Sequence, residues 1–227
     1  MHTIQPLSDG PVRAAKPDPA SIVGKACRKL SVITLLNKEY LTEGRSISTI
    51  FHSLARLYYD DQLLVDFLIR MAVVPVILQS FNQTSISTLL WSVARIQYHP
   101  EPHVMQALLE RLLEPKIMNE MNSHMLSNVV WAMGALRHHH PRLMITCCQR
   151  LMNPSVFHSA NPLVCAHFLW GCATLNWEDR VVLVTVGRRL VKDGWIPFMK
   201  SYELSLILWA LGRFCVLEVD DLGCHLP

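Results

Sequence analysis

Glycine and charge are both scarce in this sequence. Nine of the 227 residues are glycine and none of them cluster. A glycine loop that cradles phosphate is therefore missing, as are a nucleophile elbow and a zinc-protease motif. The expectation is a protein with no catalytic residues, no cofactor and no metal. Charged residues make up 17% against 51% hydrophobic. That balance is rich enough to bury a continuous core and argues against disorder outside the ends. A net charge of +3 and a pI near 8.5 permit a polyanionic partner without demanding one.

Long apolar runs are lacking too. The longest, near Leu204 to Leu217, is broken by Arg213 and falls short of the roughly 20 residues a membrane span needs. A disulfide framework is not indicated. The seven cysteines are odd in number, and Cys165 and Cys172 sit inside an apolar helical pattern, which suits reduced, buried thiols. His138, His139 and His140 lie near Cys147 and Cys148, but a second ligand pair at zinc spacing is missing. That loop reads as solvated or phosphate-touching.

What is present is a phrase that recurs. Its clearest copy is Ser87-Thr88-Leu89-Leu90-Trp91-Ser92-Val93-Ala94-Arg95-Ile96. The copies centre on His52, Trp91, Trp131, Trp170 and Trp209, which are 39, 40, 39 and 39 residues apart. A fixed period of this length marks a solenoid of stacked helical units. The expected fold is all-α, an alpha-solenoid of about five paired-helix repeats at roughly 46–83, 84–121, 122–160, 161–200 and 201–227.

Each phrase fits one helix at 100° per residue. Counting from the centre, positions −2, −1, +2 and +5 are nearly all apolar, as in Leu89, Leu90, Val93 and Ile96. They form the face to be buried. Position +3 is always small: Ala55, Ala94, Gly134, Ala173 and Gly212. It lets a neighbouring helix approach. The face around the Trp carries Ser48, Ser87, Ser127 and Ser205 at −4, Thr49, Thr88, Asn128 and His167 at −3, and Arg56, Arg95 and Arg213 at +4, where Ala135 and Thr174 complete the set. One turn further on come Tyr59, Tyr98, His138 and Trp177, on the same side if the helix persists.

Around the phrases, four prolines predict an extended arm over 1–20. Its acidic residues make it a poor match to an organellar presequence. Residues 21–45 read as a helical cap made of two apolar runs, Ser21 to Leu30 and Val32 to Leu41. Thr84-Ser85, Asn122-Ser123 and Asn161-Pro162 read as helix starts. Second helices are expected at about 61–71, 103–113, 141–152 and 178–191, with Pro115 and Pro154 ending two of them. The segment from Val73 to Phe81 is a third short element or a loop. Arg70, Arg111, Arg150 and Arg189 recur near the ends of these second helices. They read as solvated arginines whose stems cover the helix, or as a basic edge for phosphates.

Leu89 to Ile96, Val129 to Leu136 and Ile207 to Phe214 resemble the signature of the octotricopeptide repeat family and of its relative, the heptatricopeptide repeat. The resemblance covers roughly residues 46–214. It implies a right-handed stack of helix pairs and an RNA-binding protein of mitochondria or chloroplasts, most concretely a mitochondrial ribosome component that holds ribosomal RNA. Many members carry a C-terminal RAP domain, for which no residues remain here. Repeat five is expected to lack its second helix, which leaves an open apolar end for a neighbouring protein.

The candidate RNA-contacting residues are Arg56, Arg95, Arg213, Ser87, Thr88, Trp91, Ser92, Ser127, Asn128, His167, Thr174, Tyr59, Tyr98 and His138. Single-stranded RNA is held by aromatic stacking, arginine planes and polar side chains at base edges, and these residues offer those chemistries together. Two alternatives stay open. The Trp side chains can instead wedge between repeats. The whole stack can also be a protein–protein adaptor that reads no RNA.

Overall fold

The computed structural model describes residues 17–59, 61–192 and 194–214. Among them the chain is all-α and has no strand. Most of the expected arm, the tail after Phe214, where repeat five is expected to lack its second helix, and Cys215 and Cys224 lie outside the described residues.

The helices follow one another as α1 (Ile22–Leu36), α2 (Gly44–Leu57), α3 (Gln62–Ala72), α4 (Pro75–Ser80), α5 (Gln83–Arg95), α6 (Pro102–Leu112), α7 (Pro115–Met118), α8 (Ser123–Ala135), α9 (Pro141–Leu151), α10 (Pro154–Phe157), α11 (Pro162–Thr174), α12 (Arg180–Lys192) and α13 (Ser201–Phe214). Two expectations need correction. The two apolar runs of the cap are not separate elements: α1 joins them as far as Leu36, and a short 3₁₀ turn, Lys38–Tyr40, follows. Pro115 and Pro154 do not merely stop second helices. Each occupies the first turn of a short third helix, as Pro75 does in α4. Proline suits that position because its missing N–H would have no partner there.

The phrases form α2, α5, α8, α11 and α13, and the main helix contacts of the molecule run between successive members of this series. Asparagine starts three of them. Asn82, Asn122 and Asn161 accept from the backbone N–H groups of Ser85, Met125 and Val164 at 2.8, 3.0 and 3.0 Å. Asn82, not Thr84 or Ser85, is thus the cap of α5, and Ser85 completes a reciprocal box with it. The small positions let these helices touch. A Cβ on Gly171 would lie 2.4 Å from the carbonyl oxygen of Val130, and one on Gly134 2.9 Å from the Cα of Gly171.

All four described ends of α2, α5, α8 and α11 share one device. Tyr58, Gln97, Arg137 and Asn176 take left-handed backbone, with φ of 51°, 56°, 50° and 51°. The next residue sends its N–H back to a carbonyl five positions earlier, as Tyr98 does to Val93 at 3.1 Å and His138 to Met133 at 2.9 Å. This Schellman closure satisfies carbonyls that the helix end would leave bare.

The recurring arginines of the second helices are neither solvated nor a phosphate edge in three cases of four. Arg111 donates through Nη2 to the carbonyls of Gln79 and Phe81, both at 2.8 Å. Arg150 donates to the carbonyl of Asn119. Arg189 donates to those of Phe157 and His158 at 2.8 and 2.9 Å. Each ties a second helix to the end of the preceding short helix. Arg70 is the exposed exception, 4.0 Å from Glu101.

Candidate nucleic-acid interface

The five central rings form a column. His52 stands 5.5 Å from Trp91, Trp91 6.3 Å from Trp131, Trp131 5.9 Å from Trp170, and Trp170 6.5 Å from Trp209. These spacings fall in the range of favourable aromatic pairs. Trp131 is buried, at 6% exposure, so its ring is packing between neighbours. Trp91, Trp170 and Trp209 are half-buried and His52 is exposed.

Beside the column lies a hollow of about 410 Å³. Arg56 and Tyr58 reach it from the end of α2, Trp91 and Arg95 from α5, Trp131 from α8, His167 from α11 and Tyr202 from α13. Among the described residues no carboxylate lines it. The Arg95 guanidinium hydrogen-bonds the Tyr58 hydroxyl. Its centre lies 4.9 Å from the Tyr58 ring and 5.9 Å from that of Trp91, both within cation–π reach. His167 Nε2 lies 3.2 Å from the Tyr202 hydroxyl. Burial, and then His124 and Arg95, hold its pKa down at about 4, so the ring is neutral at pH 7. The hollow therefore combines aromatic faces, a neutral imidazole and two guanidinium groups.

A second recess of about 450 Å³ opens between the starts of α2 and α5. Arg45, Thr49, His52, Thr84 and Thr88 line it, which gives it a polar character and places Thr88 at its wall.

The remaining expected residues divide. Arg213 donates to Oδ1 of Asn176 at 2.7 Å and Asn128 lies 3.5 Å from a ring nitrogen of His124. Thr174 donates to the carbonyl of Trp170 at 2.8 Å. Ser87, Ser92 and Ser127 are corrected. They are buried at 2%, 0% and 1% exposure, and their hydroxyls donate to the carbonyls of Thr84, Thr88 and His124 on their own helices. They serve as small residues in the helix seams and present nothing to a ligand.

Tyr59, Tyr98, His138 and Trp177 are corrected as well. The left-handed residue ahead of each ends the helix, so they do not continue the Trp side. Tyr98 reaches α3, where its hydroxyl donates to Asp66 at 2.7 Å. Burial and that carboxylate push its pKa up to about 12. His138 is half-buried, and its pKa is lowered by burial and then by His140 and His139.

The His and Cys cluster does not assemble. His140 Nδ1 accepts from the N–H of Leu143 at 3.1 Å as the cap of α9, while Cys147 and Cys148 are buried in the core. Burial raises the Cys147 thiol well above its usual range. Among the described residues no group of His, Cys, Asp or Glu is placed to hold a metal ion, and Cys27, Cys147, Cys148 and Cys172 are free thiols. No described helix is long and apolar enough to cross a membrane.

Sequence reasoning missed Tyr58 and Tyr202 as wall residues of the hollow. Tyr202 sits at position −7 of its phrase, one turn outside the window the repeat defines. Tyr58 carried no glycine-like sign of its left-handed turn. The chain matches no protein-family model, and no curated protein matches it.

Proposed function

We propose that the protein is an RNA-binding scaffold, a right-handed α-solenoid of about five helical repeats that holds single-stranded segments of RNA in an organelle. In its most concrete form it is a mitochondrial ribosome component bound to ribosomal RNA. The observation that carries the RNA reading is the hollow beside the ring column, where Arg56, Arg95, Trp91, Tyr58, Tyr202 and His167 meet with no carboxylate among them. Stacking and guanidinium contacts of this kind hold bases and phosphates without needing sequence. The organellar setting is supported by the resemblance of the repeated phrase to the octotricopeptide repeat.

Arg56 is the sharpest probe because it is exposed and its loss breaks no packing. Replacing Arg56, Arg95 and Arg213 by Gln weakens binding to unrelated single strands about equally. It also flattens the salt dependence, by roughly 0.7 in log–log slope for each phosphate no longer neutralised. Filter binding across salt, beside a thermal melt of the same variants, reads both effects. Unchanged affinity and slope in a folded triple variant would overturn the RNA reading and favour the adaptor, which binds a peptide in the same hollow. Sequencing RNA crosslinked to the protein in mitochondria tests the assembly.

A further inference from the structure

The seams between α2, α5, α8, α11 and α13 use the same positions each time. On the forward side of each helix these are −4, −1 and +3. At −1, Phe51, Leu90, Val130 and Leu169 are all 0% exposed, whereas Leu208 on α13 is 60% exposed. At −4, Ser48, Ser87, Ser127 and Ala166 are buried and Ser205 is exposed. At +3, Gly212 is exposed where its four equivalents are buried. Among the described residues the forward seam of α13 is left exposed at Ser205 and Leu208.

The backward seam shows the converse at the other end. At +1, Ser92, Ala132, Gly171 and Ala210 are buried, whereas Ser53 on α2 is exposed. At −2, Leu89, Val129 and Phe168 are 0% exposed and Ile207 4%, whereas Ile50 is half-buried. Leu57 beside them is 42% exposed. The contacts of Gly171 with Val130 and Gly134 show that +1 of one helix meets −1 and +3 of the one before. So one molecule carries both halves of an interface that it already makes four times within itself.

Helix α1 extends the backward half. Its buried side is Gly24, Cys27 and Ser31. The opposite side is an apolar stripe of Ile22, Leu30, Ile33 and Leu36, at 87%, 61%, 44% and 73% exposure. With the short 3₁₀ turn Lys38–Tyr40 behind it, α1 leads into α2 as a second and a short helix lead into each later phrase helix. Among the described residues no phrase helix lies beside α1, and α13 is one whose forward seam is exposed at Leu208.

We infer that copies of this chain join head to tail, α13 of one packing against α1 and α2 of the next to complete a composite repeat. The docked Leu208 meets Ser53, as Val130 at the same position meets Gly171 within one chain. Trp209 of one copy then comes opposite His52 of the next, which carries the ring column across the junction. Because the two faces differ, the interface is heterologous and the assembly is open-ended. This inference does not depend on RNA binding.

The test is sedimentation velocity of the full chain, nuclease-treated, from low to high micromolar concentration. Wild type gives a sedimentation coefficient that climbs with concentration without a plateau at dimer. Leu208→Glu and Ser53→Glu alter exposed residues, so both remain folded, which circular dichroism checks. Each alone is monomeric. Mixed, they form a 1:1 dimer that grows no further, since one supplies an intact α1–α2 face and the other an intact α13 face. A wild type that stays monomeric at high micromolar concentration would overturn the inference, as happens if the chain's own tail covers α13. So would a dimer that either variant retains alone, or a mixture of the two that stays monomeric.

Discussion

Arg189 holds Phe157 twice. Its Nη1 donates to the carbonyl oxygen of Phe157 at 2.8 Å, and its guanidinium lies 5.0 Å from the centre of the same residue's ring. The bare end of a short helix thereby gains a charged donor, and the charge gains a ring face. Trp195 closes the other side at 5.0 Å. The equivalent Arg111 shares its carbonyls with an ion pair to Glu114, and its side chain is only 10% exposed. Such arginines act as staples between units.

The staples predict a separation of stability from binding. Arg111→Met leaves the carbonyls of Gln79 and Phe81 without their donor and should cost about 1.5–3 kcal/mol, the range for hydrogen bonds involving a charged group. Arg70→Met, at an exposed position, should stay within about 0.5 kcal/mol of wild type. Urea unfolding measures both, and RNA affinity per folded molecule should be unchanged in each. An Arg111→Met protein as stable as Arg70→Met would show that the carbonyl contacts contribute nothing.

Left-handed backbone at a residue with a Cβ is strained. Arg137 adopts φ 50° with its side chain exposed. Arg137→Gly should therefore raise stability by roughly 0.5–1 kcal/mol, the relief of left-handed strain less the extra chain entropy of glycine. Arg137→Val should lower it by about 1–2 kcal/mol, because a branched Cβ fits that region worst. Equilibrium denaturation of the pair decides. Equal midpoints for the Gly and Val proteins would mean that the turn is not held left-handed in solution.

His167 predicts the acid limb of the stability profile. Its pKa is about 4 in the folded protein, below the ordinary 6.5. As pH falls below 6.5 the unfolded chain takes up a proton that the folded chain refuses. Stability present above 6.5 is thus lost progressively down to about pH 4, by up to about 3 kcal/mol. Below that pH the folded ring protonates too and the loss levels off. Thermal melts from pH 7 to pH 4 should fall less steeply for His167→Gln than for wild type. Parallel profiles would show that the ring is not held neutral.

The ring column and the buried seams were legible because a helix repeats its faces every 3.6 residues and the phrase repeats every 39 or 40. The short third helices were not, since a proline after a helix reads equally as a stop and as a first turn; Pro75, Pro115 and Pro154 recurring behind three of the four second helices are the sign that distinguishes the two. The side taken by Tyr98 and His138 depended on single left-handed residues. Those are Tyr, Gln, Arg and Asn here, and no glycine announced them. The serine positions were misjudged because a hydroxyl that returns to its own backbone is as well suited to a seam as an alanine. The arginine staples join residues about thirty apart, a distance at which periodicity says where a side chain points and not what it meets.

The helix starts divide each unit into a constant part and an adjustable one. From the start of a second helix to the start of the next phrase helix the interval is 21 residues all four times, Gln62 to Gln83, Pro102 to Ser123, Pro141 to Pro162 and Arg180 to Ser201. From phrase helix to second helix it is 18 in three units and 19 in the unit of Trp91, where the one additional residue falls between Gln97 and Pro102. Length variation is thus confined to the loop just past the left-handed closure. Because that closure fixes the phrase helix before the loop begins, an inserted residue there is absorbed without shifting the rings. This loop is the natural place to graft a label, an epitope or a longer recognition segment while the column keeps its spacing.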